Sequence, residues 1–193
     1  MKGSDRKETM KKITKFTKEL RLPATRRNIA EEIAEAEKGN LNYEDFLCGL
    51  LSKESDLRIE NGKKNRIRAA NFPHKKYLED LSIDDLPHDA KKNLKVLKSL
   101  DFIKNGQNII FSGSPGTAKT HISIGLGIKA AMAGYKVMFA TVPLLINRLK
   151  ESRSEKTLQL FESRFEKYDL VIADELWKAF HNSSNSAPGM GSN

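Results

Sequence analysis

The stretch FSGSPGTAKTH, Phe111 to His121, decides how this chain is read. Gly113, Lys119 and Thr120 fit the phosphate-loop pattern G-x-x-x-x-G-K-[ST], while Ala118 stands where the pattern asks for glycine. Such a loop works by geometry and partial charge. A strand ends, the chain turns through glycines, and a helix begins with its backbone N–H groups aimed at phosphate. Here Asn108 to Ser112 reads as the strand, and the helix is expected to start near Lys119. In that arrangement Lys119 carries positive charge to the β- and γ-phosphates of ATP, and the Thr120 hydroxyl ligates Mg²⁺. The methyl group of Ala118 lies where backbone approaches phosphate. If the position needs positive φ, the strain is of order 1 kcal/mol or more. Weakened rather than absent binding is the expectation.

A second motif lies downstream. In YDLVIADEL, an apolar strand from Leu170 to Ala173 ends in Asp174 and Glu175. The aspartate of this Walker-B pattern holds Mg²⁺, usually through water, and the neighbouring glutamate can polarise an attacking water. Alone, a strand ending in acids is ordinary solvated surface. Together with the upstream loop, it points to ATP chemistry at the strand ends of one sheet.

Working outward, QNIIFSG, GYKVMFAT and YDLVIADE read as three strands with helices between them, the signature of a parallel α/β sheet. HISIGLGIKAAMAG alternates like a strand, but its place after the loop decides for a helix buried on most sides. Residues 1–73 read as helical and charged. One helix there has Thr25 as its cap candidate. The next has Asn42 as cap and an apolar stripe of Phe46, Leu47, Leu50, Leu51 and Leu57, with Gly62 as a break or bend and Pro73 as its end. Cys48, set among those apolar residues, reads as a small core side chain. Residues 74–104 form a connector with an amphipathic helix, HDAKKNLKVLKSLDFIK. The partial ATPase core spans 105–176, and 177–193, rich in Ser, Asn and Gly, reads as a disordered tail.

The 193 residues carry a formal net charge of +9. That balance favours an acidic partner such as nucleic acid, the plain alternative being a well-solvated surface. A single cysteine cannot form an internal disulfide, the start of the chain has no apolar stretch after its charges, and no run reaches membrane-spanning length. A cytoplasmic protein is the expectation.

LRLPATRRNIAEEIAEAEKGNLNYEDFL, RIRAANFPHKKYLEDL, NIIFSGSPGTAKTHISIGLGIKA and YDLVIADEL together resemble the IstB family of transposition helper ATPases, AAA+ relatives of the DnaC helicase loader. The resemblance runs from about Leu20 to Leu176. It implies an N-terminal helical region followed by a partial P-loop NTPase sheet with flanking helices. It further implies a protein that binds ATP and double-stranded DNA, forms homo-oligomers, and assists a transposase. Carried over by position, the loop residues Gly113, Ser114, Pro115, Gly116, Thr117, Ala118, Lys119, Thr120 and His121 would hold the nucleotide. Thr120 and Asp174 would serve Mg²⁺, and Glu175 the water. Basic candidates for the helical adaptor are Lys11, Lys12, Lys15, Arg26, Arg27, Lys63, Lys64, Arg66 and Arg68. A DnaC-type loader, and a non-enzymatic binding module with a remnant ATPase half, stay open beside this reading.

Three departures stand out: Ala118, Trp177 after Asp-Glu-Leu, and a last stretch unlike the family. The later strands, the sensor residue and the arginine finger are absent, so a truncated product with impaired hydrolysis is expected. In sheets of this class the strand at 108–112 lies between two later strands. Without them it has no natural neighbour, and a marginal fold with an exposed strand edge follows.

Overall fold

The computed structural model describes residues 2–154 and 156–176. Its contacts divide the chain into two units, Met1–Gly62 and Lys63–Asn193. The first contains the helices α1 (Lys2–Glu19) and α2 (Pro23–Lys38) and most of α3 (Tyr43–Ala69).

In the first unit α2 starts with Leu22, not Thr25, at the cap, and Pro23 occupies the first helical position. Proline suits that place because its missing N–H would be unpaired anyway. The open N–H groups of Ala24 and Thr25 are instead taken by Oε2 of Glu54, at 2.9 and 3.4 Å, from the middle of α3. A carboxylate at a helix start also opposes the positive end of the helix dipole. Glu54 is only 3 % exposed. Its Oε1 makes no hydrogen bond, while Arg58 Nε, at 3.8 Å, is too far for one but places positive charge beside it. Helix α3 does start as the sequence indicates, with Asn42 Oδ1 accepting from the Asp45 amide at 2.7 Å. It runs through Gly62 without a break, and ends at Ala69, before Pro73.

The apolar stripe of α3 is only partly used. Leu50 is buried, Phe46 and Leu57 are half-buried, and Leu47 and Leu51 are exposed. Cys48 is exposed as well, correcting its reading as a core residue. The physical reason is helical phase. Positions 46, 50, 54 and 57 share one face, and 48 falls off it.

The second unit holds α4 (His88–Leu97), α5 (Asp101–Lys104), α6 (Lys119–Ala133), β1 (Val137–Thr141), α7 (Val142–Ser154), α8 (Leu158–Phe165) and β2 (Leu170–Asp174). The connector opens with two short 3-10 turns, Leu78–Asp80 and Ile83–Asp85. The single amphipathic helix expected over 88–104 is two helices, because Leu100 adopts a left-handed conformation, φ 64°, that buries its side chain in the core.

β1 and β2 pair in parallel, in register from Val137↔Leu170 to Thr141↔Asp174. Parallel neighbours need a crossover, here α7 and α8. The other edge of β1 receives one bond, from the Phe139 amide to the Ala70 carbonyl at 2.8 Å. The core lies between this pair and α6, with Ile124, Ile128 and Phe139 packed against Ile67, Phe72 and Ile172. Two glycines of α6 allow close approach, Gly125 to the connector turn and Gly127 to β2. A Cβ on Gly125 would meet Leu78 Cδ2 at 2.6 Å, and one on Gly127 would meet Ile172 Cδ1 at 2.6 Å. Thus the alternation in HISIGLGIKAAMAG records a helix enclosed on most sides.

The expected strand at 108–112 is not formed. Among the described residues no backbone hydrogen bond involves it, and Ile110 is 83 % exposed. A strand exists only through a partner, and the described sheet offers it none. β1 and β2 take each other instead. Only Phe111 of this run packs against the core.

Candidate nucleotide-binding site

The site is built from the two ends of α6 and β2 that meet. Chain Phe111–Thr117 crosses the surface as a turn-containing loop, and α6 begins at Lys119. Gly113 (φ 149°) and Gly116 (φ 83°) take conformations that suit glycine, and a side chain on Gly113 would crowd Thr117 Oγ1. Ala118 is the N-cap of α6, with φ 57° and ψ 13°. Its carbonyl accepts from Ile122 N at 2.9 Å, so the left-handed turn is what launches the helix. The position therefore does need positive φ, and the alanine carries the strain that glycine would avoid.

The Lys119 ammonium folds back into the loop. It donates to the carbonyls of Gly113 at 2.8 Å and Ser114 at 2.7 Å, and lies 3.2 Å from Thr117 Oγ1. Thr117 in turn donates to the Ser114 carbonyl at 2.8 Å. The Thr120 hydroxyl donates to Asp174 Oδ2 at 3.0 Å, joining two motifs 54 residues apart. The other carboxylate oxygen of Asp174 accepts from the Glu175 amide at 2.8 Å, which locks the carboxylate across the strand end. Glu175 turns the chain away with φ 60°. His121 Nε2 lies 2.7 Å from the Tyr77 carbonyl, so this histidine ties the first turn of α6 to the connector.

The structure therefore brings Thr120, Asp174 and Glu175 together at the C-terminal end of β2, with Lys119 and the loop glycines beside them. Ser114 and Pro115 lie on the exposed loop. The basic candidates of the helical region are differently placed. Lys12 pairs with Glu8 and Lys15 with Glu19, while Arg66 Nε donates to the Ala131 carbonyl at 2.7 Å. Lys11, Arg26, Arg27, Lys64 and Arg68 are exposed. Sequence reasoning missed the tie of His121 to Tyr77 and the cap supplied by Glu54. Neither a carbonyl partner nor a cap from 30 residues away leaves a local signal.

A family model described as IstB-like ATP binding protein matches residues 15–185. The chain belongs to the IstB-like family. It is 33 % identical over 144 residues to an insertion-sequence IS21 protein of Pseudomonas aeruginosa, covering 75 % of this chain and 54 % of the relative. A protein of insertion sequence IS5376 in Geobacillus stearothermophilus is 28 % identical over 165 residues, covering 86 % and 66 %. This IstB-like chain thus spans between half and two-thirds of the length of these two relatives. The α/β architecture, mostly helical with a small parallel sheet, agrees with a partial P-loop NTPase domain. No helix among the described residues is long and apolar enough to cross a membrane. Trp177 and the expected disordered tail lie outside the described residues.

The donor set fits a nucleotide with a divalent cation. A hydroxyl and a carboxylate side by side are hard oxygen ligands of the kind Mg²⁺ takes. The Lys119 ammonium, held on the Gly113 and Ser114 carbonyls, sets a positive charge within the loop.

Proposed function

We propose that this chain binds ATP with Mg²⁺ and acts as a DNA-associated helper of transposition, with weak or absent ATP hydrolysis. The observation that carries the nucleotide reading is the 3.0 Å contact between Thr120 Oγ1 and Asp174 Oδ2, next to a glycine loop closed by Lys119. Loop N–H groups at the start of α6 and the Lys119 ammonium would hold phosphate oxygens. Thr120 and Asp174 would hold Mg²⁺, which when bound supplies positive charge to the phosphate oxygens. Glu175 would orient a water.

Weakened nucleotide binding rests on Ala118. Its methyl group sits at the strained N-cap, within the turn that must come closest to phosphate. The DNA and transposase parts of the reading rest on family membership and on the net charge of +9. Calorimetric titration with ATP and Mg²⁺ tests the first part, beside Lys119→Ala. Saturable binding that disappears in the variant is the expected result, and equal heats for both chains would remove the loop from the reading. Duplex DNA titrated at several salt concentrations tests the second. Affinity that does not fall with salt would sink it.

A further inference from the structure

A pocket of about 340 Å³ opens in the second unit, lined by Arg66, Lys136, Val137, Arg164, Lys167 and Tyr168. It lies at the start of the two strands. Val137 is the first residue of β1, and Lys167 and Tyr168 lead into β2. The nucleotide loop meets the opposite strand ends, where Asp174 closes β2. Five residues of strand separate the two places, roughly 15 Å at about 3.3 Å per residue.

Four cations line one pocket, and among the described residues none of them makes an ion pair. Arg66 spends only its Nε, on the Ala131 carbonyl, so its orientation is fixed while the rest of the guanidinium keeps its donors. Asp169, the residue after Tyr168, keeps its negative charge there while its Oδ2 accepts from the Lys136 amide at 2.7 Å. That bond also pins the backbone from which the Lys136 side chain departs. Lys136, Arg164 and Lys167 are exposed, and the pocket gathers more positive than negative charge, a balance that draws an anion. Guanidinium groups match the paired oxygens of phosphate, and ammonium groups add point charge. Tyr168 completes the lining.

We propose that this pocket is a second anion site, separate from the nucleotide loop, that takes a phosphate group. The group comes from one of two sources, a phosphodiester of a nucleic-acid backbone or a free phosphate. The nucleic-acid source rests on the DNA association proposed above, and the free-phosphate source does not.

The test uses the full chain and the double variant Arg164→Gln/Lys167→Gln, both in a Lys119→Ala background that silences the loop. Arg164→Lys/Lys167→Arg, which keeps the charge, guards against loss of folding. A fluorescent duplex and inorganic phosphate are the two probes. If the source is a backbone phosphodiester, the Gln variant binds duplex about tenfold more weakly, and the slope of log affinity against log salt falls by about 2. The charge-keeping variant stays near the parent. If the source is free phosphate, duplex affinity is unchanged, but phosphate raises the melting temperature of the parent and not of the Gln variant. Equal duplex affinity, equal salt slope and equal phosphate response in parent and Gln variant overturn the proposal. Because every chain carries Lys119→Ala, failure of the nucleotide reading leaves this result intact.

Discussion

The Thr120 hydroxyl donates to Asp174 at 3.0 Å, so the first turn of α6 and the last residue of β2 hold each other directly. Asp174→Asn keeps an oxygen for that hydroxyl and removes the charge. The expected outcome is a folded chain whose ATP affinity no longer rises when Mg²⁺ is added, a loss of about tenfold or more for one charge-assisted ligand. Titrations with and without a chelator read it. An undiminished metal effect in the variant would remove Asp174 from the site.

Ala118→Gly should stabilise the chain, which is unusual for a change to glycine. The left-handed conformation at φ 57° costs alanine about 1–2 kcal/mol. Extra freedom in the unfolded chain takes back about 0.4–1 kcal/mol. A net gain of about 0.5–1 kcal/mol in urea unfolding is expected, together with tighter ATP binding. Loss of stability would show that the alanine is not strained.

Glu54→Ala removes the acceptor for two amides at the start of α2 and leaves them open. Destabilisation of about 1–3 kcal/mol is expected. Glu54→Gln retains an amide oxygen and should lose less. Chemical denaturation of both variants gives the order, and Gln costing as much as Ala would assign the effect to charge rather than to the cap.

Gly127→Ala brings a methyl against Ile172 and Phe72, with the nearest side-chain atom at 2.6 Å. Overpacking of this kind costs about 1–3 kcal/mol. Trimming the neighbour, as Ile172→Val beside Gly127→Ala, should return part of it. A double mutant no better than the single would mean the strain passes to Phe72 instead.

What the sequence shows plainly is what depends on neighbours in the chain. The start of α6 at Lys119, the Asn42 cap and the two strands at 137–141 and 170–174 are all local signals of this type. What depends on a distant partner is hidden. The run at 108–112 has strand composition but no strand beside it among the described residues. The α3 stripe is apolar around more of the helix than its unit covers, which leaves Cys48 and Leu51 in water. In the site, the loop and the acids could be named from spacing, but not the contact between Thr120 and Asp174. The backbone of Ala118 could be posed only as two alternatives, and its φ decides between them.

Lys119 satisfies its ammonium on three oxygens of its own loop. It thereby acts as a built-in competitor, always present at the same effective concentration. Nucleotides that carry the same phosphates must displace the same contacts, so the affinity of each is lowered by the same factor. A common factor cancels when two ligands are compared. Discrimination between nucleotides that differ only in base or sugar must therefore come from groups that touch those parts, and cannot be tuned through this lysine.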